Sequence, residues 1–150
     1  LKKTNAPLAG EMSGHIFFND RWYGFDDGHY SAFRLIEILT QSTEPLSSIY
    51  RGLPKTFSTP EINIDVLEEK KFKIVENFIQ NSEFGSGKKN TIDGLRVTFN
   101  DGWGLLRASN TTPKLVMRFE ASTSERLEEI KNLFLMQLKQ IDESIEIKLS

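Results

Sequence analysis

The sequence predicts an α+β fold: a four-stranded antiparallel sheet with two helices on one of its faces, preceded by a shorter α/β segment. Three observations lead there. Between residues 62 and 121, three short stretches alternate apolar and polar side chains, the period of a half-buried strand, and a hairpin signal at 100–102 sets off a further strand at 103–108. Two longer stretches, 68–81 and 124–141, repeat apolar residues every three to four positions, the period of an amphipathic helix. Between them and the first part of the chain, residues 43–60 gather Pro45, Gly52, Pro54 and Pro60 with several Ser and Thr. That composition reads as a linker. A boundary near residue 55 gives two parts, 1–54 and 55–150.

In chain order, Gly10 and Gly14 favour a loop, and Ile16-Phe17-Phe18 a short strand. Tyr30, Phe33, Ile36 and Leu39 share one face of a helix over 28–42. Asp26 and Asp27 stand where carboxylates cap the free N–H groups of its first turn. Ile62, Ile64 and Val66 alternate with Asn63 and Asp65 as the first strand of the second part. Phe72, Val75, Phe78 and Ile79 mark the helix at 68–81. Gly85 to Asn90 reads as a mobile loop, and Leu95, Val97 and Phe99 as the second strand. Asn100-Asp101-Gly102 is a hairpin signal. Residues 103–108 form the third strand. The fourth alternates Leu115, Met117, Phe119 and Ala121 with Val116, Arg118 and Glu120. Leu127, Ile130, Phe134, Leu138 and Ile141 line the last helix, opened by a Ser122/Glu125 capping box or by Ser124. Short connections imply antiparallel neighbours with both helices on one face. Trp22, Trp103 and the 11 Phe residues are expected in the core.

Composition narrows the function classes. Lys and Arg number 19 against 21 Asp and Glu, a net charge of −2. A general nucleic-acid binder carries a basic excess, so none is expected as partner. There is no Cys and only His15 and His29, which excludes thiolate chemistry and leaves no structural zinc site. No apolar run approaches the ~20 residues of a membrane span, nor does a secretory stretch follow Leu1-Lys2-Lys3. A cytoplasmic protein without membrane association is expected. The start at Leu1 rather than Met fits a piece of something longer.

Two segments carry chemistry. Arg107-Ala108-Ser109-Asn110-Thr111-Thr112-Pro113 joins two strands. An Arg fork, three hydroxyls, an amide and turn N–H groups suit a phosphate, though they also suit an ordinary polar turn. Gly10-Glu11-Met12-Ser13-Gly14-His15 holds a carboxylate, a hydroxyl and an imidazole on a Gly-flanked loop. Sugar hydroxyls need such groups in fixed geometry, and His15 can carry a proton. A ligand-free surface loop is the alternative. Arg118 is either a further anion contact or a solvated side chain. Gly85-Ser86-Gly87-Lys88 lacks the spacing of a phosphate loop.

Taken together these segments resemble the α-D-phosphohexomutases. Gly10 to His15 looks like that family's sugar-recognition loop, continued by Trp22-Tyr23-Gly24-Phe25-Asp26-Asp27-Gly28. Arg107 to Pro113, followed by Leu115 to Ala121, looks like its phosphate-binding loop and the next strand. Ser58-Thr59-Pro60-Glu61-Ile62 is similar too. The resemblance covers essentially the whole chain. Met12 looks like the variant of the bacterial phosphomannomutase/phosphoglucomutase type rather than of the glucosamine mutases.

The resemblance implies that residues 1–54 are the end of a third, α/β domain and 55–150 a fourth domain likened to the TATA-binding-protein fold. It implies interconversion of hexose 1-phosphate and hexose 6-phosphate through a hexose 1,6-bisphosphate. Glu11, Ser13 and His15 would bind sugar. Arg107, Ser109, Asn110, Thr111 and Arg118 would hold the phosphate that is not transferred. The family's phosphoserine segment and its Asp-rich Mg²⁺ loop have no counterpart here. Both would come from missing N-terminal domains, so no catalytic residue is expected in this chain beyond His15, no metal ligand either, and the piece alone should be inactive. A non-catalytic phosphosugar-binding module and a glucosamine mutase relative are the alternative readings.

Overall fold

Strand pairs and single helices build two units, Leu1–Pro54 and Lys55–Ser150, in the computed structural model, which describes residues 5–11 and 13–145. In the first unit, β1 (Leu8–Gly10) and β2 (Ile16–Phe18) form an antiparallel hairpin with Gly10 opposite Ile16. An Asn19–Asp27 turn leads into α1 (Gly28–Thr40). Asp27 caps that helix, its Oδ1 accepting the Tyr30 N–H at 3.0 Å. The helix ends two residues short of the expected 42. Phe33, Leu35, Ile36 and Ile38 of α1 are exposed.

The segment read as a linker contains a helix, α2 (Leu46–Arg51). Pro45, at φ −67°, precedes it and Gly52 follows it. A proline at a helix start has the right φ and no N–H to leave unpaired, so the residues read as breakers here bound a short helix.

Among the described residues the second unit holds six strands rather than four, in the order β3 (Phe57–Ser58), β8 (Lys114–Ala121), β7 (Gly102–Ala108), β6 (Leu95–Thr98), β5 (Lys88–Asn90), with β4 (Ile62–Asp65) also on β8. All pairs are antiparallel. β3 and β4 share one edge of β8 because Pro60 interrupts them. Pro60 has no N–H to give the ladder, and Thr59 fills the gap. Its N–H donates to the Phe119 carbonyl (3.0 Å), and its hydroxyl accepts the Phe119 N–H (3.2 Å). β5 lies where a mobile loop was expected. Lys88, Lys89 and Asn90 are exposed and pair through their backbones with Thr98, Val97 and Arg96.

Helices α3 (Lys71–Asn81) and α4 (Ser124–Ile141) both pack on the central strands. α3 begins three residues later than the periodicity suggests, after a turn at 68–70. The α4 cap is Thr123, whose hydroxyl accepts the Arg126 N–H at 3.1 Å, not Ser122 or Ser124. Phe134 is the centre of the core. Its ring centroid lies 4.6 Å from Phe84, 5.3 Å from Phe119 and 5.7 Å from Phe78. Gly104 makes the room, since a Cβ there would sit 2.6 Å from the Phe134 ring.

Strand alternation sends Leu106 and Ala108 into this core, and Trp103, Leu105 and Arg107 to the face opposite the helices. Trp103 is therefore not a core residue. It is half-buried, with the Arg96 guanidinium 4.7 Å above its ring. Trp22 is likewise half-buried, stacked on Tyr30 at 4.3 Å. No helix among the described residues is long and apolar enough to cross a membrane.

Candidate functional site

The first candidate is the tip of the β1–β2 hairpin. The Glu11 N–H donates to the His15 carbonyl (2.8 Å) and the Gly14 N–H to the Glu11 carbonyl (3.0 Å). The turn requires φ +91° at Gly14, a conformation that glycine adopts without a Cβ penalty. This closure brings Glu11, Ser13 and His15 together and leaves all three exposed. The Ser13 hydroxyl donates to Glu11 Oε2 at 3.3 Å. Met12 lies outside the described residues.

His15 Nδ1 lies 2.6 Å from Asp26 Oδ2, and Asp26 Oδ1 accepts the Ile16 N–H at 3.3 Å. A carboxylate oxygen accepts, so Nδ1 is the donor of this pair and Nε2 is the ring nitrogen left for a ligand. The sequence offers Asp26 and Asp27 alike as helix caps. Only Asp27 caps, and it also accepts the Trp22 indole N–H at 3.2 Å. Behind the hairpin, Arg34 bonds both Asp20 oxygens (2.9 and 3.0 Å) and lies 4.4 Å from the Phe18 ring. Arg21 pairs with Glu37. The Arg34 hydrogen bonds hold the Asp20 carboxyl below the ordinary carboxylate range, and the Arg21 bond does the same for Glu37.

The second candidate is the β7–β8 connection. The Ser109 N–H donates to the Lys114 carbonyl (2.9 Å) and closes the loop's base. The Ser109 side chain is almost fully buried, and its oxygen accepts the Thr111 N–H (3.3 Å), the Thr112 N–H (3.2 Å) and the Thr112 hydroxyl (2.8 Å). Ser109 thus shapes the loop from inside, while Asn110, Thr111 and Thr112 stay exposed. Arg107 enters from β7 with Asp93 3.9 Å from its guanidinium. Arg118 lies on the same sheet face but opposite Leu105. It is four residues past Lys114, on the order of 13 Å along the strand. Among the described residues Arg118 has no ion-pair partner.

Sequence reasoning missed Asp93 and Asp26 as neighbours of candidate residues. It also missed Gly94, whose φ of +71° and lack of a side chain let the strand start pass against Arg107. Asp26 had a faint signal, being one of two carboxylates where one cap suffices. No group of three or more His, Cys, Asp or Glu that could hold a metal ion occurs among the described residues. Asp26 and Asp27 are turned to different partners. These residues therefore offer no ligand set that fits Mg²⁺.

Comparison with known proteins gives a family to this geometry. Residues 61–135 match the family model for the phosphoglucomutase/phosphomannomutase C-terminal domain, and residues 1–57 the model for its alpha/beta/alpha domain III. The chain belongs to the phosphoglucomutase/phosphomannomutase family. It is 54% identical over 147 residues to a phosphomannomutase/phosphoglucomutase of Pseudomonas aeruginosa, covering 98% of this chain and 32% of that protein. It is 53% identical over 136 residues to a phosphoglucomutase of Neisseria gonorrhoeae, covering 89% and 29%. A solved phosphoglucomutase/phosphomannomutase family protein from Burkholderia thailandensis superimposes with a TM-score of 0.86 at 45% identity, covering 99% of this chain and 31% of that one. The chain spans about a third of the length of the relatives it matches, all of them mutases of the isomerase class by name.

Proposed function

We propose that this chain supplies sugar and phosphate recognition to a phosphomannomutase/phosphoglucomutase that interconverts hexose 1-phosphate and hexose 6-phosphate through a bisphosphorylated intermediate. Glu11 and Ser13 accept and donate hydrogen bonds to sugar hydroxyls. Arg107, with Asn110 and Thr111, holds the phosphate that is not transferred, Ser109 keeps that loop in shape, and Arg118 adds positive charge on the same face. His15 Nε2, its ring oriented by Asp26, takes or returns the proton of the reacting hydroxyl. The transferable phosphoryl group and Mg²⁺ come from the parts of the enzyme that precede this chain, and the reaction takes place in the cytoplasm. Binding energy at the distal phosphate fixes the sugar for in-line transfer.

The observation that carries the reading is the His15–Asp26 pair beside Glu11 and Ser13 at the hairpin tip. A surface turn without a ligand has no need for an oriented imidazole. The test is mutase turnover by the full-length protein carrying this chain, with hexose 1-phosphate and catalytic bisphosphate. Loss of a charge-assisted contact in Arg107→Ala should raise KM about 10- to 100-fold. Asp26→Asn should lower kcat more than it raises KM. Phosphosugar binding without turnover in the wild type would make the protein a non-catalytic binding module instead.

A further inference from the structure

Among the described residues of the second unit, Lys71 is the most buried charged one, with 1% of its side chain exposed. An ammonium removed from water is costly unless acceptors replace the lost hydration. Two oxygens do so here. Lys71 Nζ lies 2.6 Å from Glu68 Oε1 and donates to the Thr112 carbonyl at 3.2 Å. Its ammonium also lies 5.1 Å from the Phe72 ring. Glu68 is local, in the turn before α3. Thr112 is 41 residues away, in the loop that carries the candidate phosphate contacts.

The Thr112 carbonyl also accepts the Lys114 N–H at 2.8 Å, and the next carbonyl, of Pro113, accepts the Val66 N–H at 3.0 Å. The descending limb of the loop is therefore pinned from outside, while Asn110 and Thr111 project into solvent. Ser109 ties the limbs to each other, and Lys71 ties the loop to the helix layer. Without the ammonium, the Thr112 carbonyl keeps only one partner and its peptide can turn. That would free the descending limb to shift, and with it the preceding peptides whose Thr111 and Thr112 N–H groups donate to the Ser109 hydroxyl.

We infer that Lys71 is a positioning residue of the phosphate loop, its buried ammonium fixing the Thr112 peptide so that Arg107, Asn110 and Thr111 converge on one anion. The inference rests on the functional reading above. The test uses the full-length protein and three variants, Lys71→Met, Lys71→Arg and Glu68→Gln. Two readouts are taken, amide hydrogen exchange of residues 109–114 without ligand, and the competitive inhibition constant of inorganic phosphate against hexose 1-phosphate. Lys71→Met should speed exchange at 109–114 at least about tenfold, leave α4 protected, and raise the phosphate constant about tenfold, as expected for a lost charge-assisted bond. Lys71→Arg keeps charge and donors and should recover to within about threefold. A purely structural lysine would lower the melting temperature while leaving the phosphate constant unchanged in the folded variant, and that result overturns the inference. If Lys71→Met does not fold, Glu68→Gln decides. Faster exchange at 109–114 with a two- to threefold weaker phosphate constant, roughly the effect of a weakened partner, supports it, and wild-type values overturn it. If the wild type neither turns over nor responds to phosphate, the functional reading fails, while the exchange data still report whether Lys71 holds the loop.

Discussion

Gly94→Ala should damage both the fold and the anion loop, and its cost can be worked from two separable parts. Gly94 has φ +71°, a left-handed conformation that costs an alanine roughly 1–2 kcal/mol. Its added Cβ would also press into the Leu106 carbonyl oxygen and lie 2.6 Å from Arg107 Cβ and 2.7 Å from Arg107 Cα. Backbone cannot swing aside like a side-chain tip, so overpacking adds about 1–3 kcal/mol. The sum is about 2–5 kcal/mol. For a unit of this size that lowers the melting temperature by on the order of 10–30 °C. Gly85→Ala is the control. Gly85 has φ +54° with nothing within 4 Å of an added Cβ, so it loses only the conformational part, on the order of 5–15 °C. Thermal unfolding followed by far-ultraviolet circular dichroism compares the two. Gly94→Ala should melt well below Gly85→Ala and bind phosphate more weakly, because Arg107 must move. Equal melting temperatures would refute the reasoning, since the close approach to Arg107 would then carry no energy.

Phe134→Ala should destabilise the second unit by about 3–5 kcal/mol, as removal of a fully buried ring does, read from a denaturant titration. Thr123→Ala should cost about 1 kcal/mol by the same titration, as loss of an N-cap does, whereas Ser122→Ala and Ser124→Ala should stay near wild type. Acid should loosen the first unit. The carboxyls of Asp20 and Glu37 sit below their ordinary range, so the stability they contribute is present above the unfolded values and is lost as pH falls through the native ones. Trp22 fluorescence should be flat from pH 7 to 5 and change below about pH 4, with the change reduced in Asp20→Asn.

The elements legible in the sequence were those whose side chains pay for them by burial. Leu127, Ile130, Phe134 and Leu138 are all buried, and α4 spans the residues that their periodicity marks. β6, β7 and β8 declared themselves in the same way. β5 did not, because Lys88, Lys89 and Asn90 stay exposed, and what holds them is backbone pairing with β6 and the Lys89 ammonium on the Ser82 carbonyl at 2.6 Å. β3 escaped because it is two residues long. α2 escaped because proline and glycine at helix ends look like those of a loop. The place of β4 beside β8 is a long-range choice that no local pattern encodes. In the candidate sites, residues clustered in sequence were readable, Glu11 with Ser13 and His15, and Ser109 with Asn110 and Thr111. The partners that orient them were not. Asp26 is 11 residues from His15 and Lys71 is 41 from Thr112, separations that only the fold closes.

The chain has two tryptophans, and the fold gives one to each unit. Trp22 stacks flat on Tyr30 in the first, and Trp103 lies beneath the Arg96 guanidinium in the second. The protein thus carries two optical probes in chemically different surroundings, one against a phenol and one against a cation. With Trp22→Phe or Trp103→Phe, a single remaining indole would follow one half of the chain at a time. Their emission spectra during heating would tell which half melts first, with no dye or label attached.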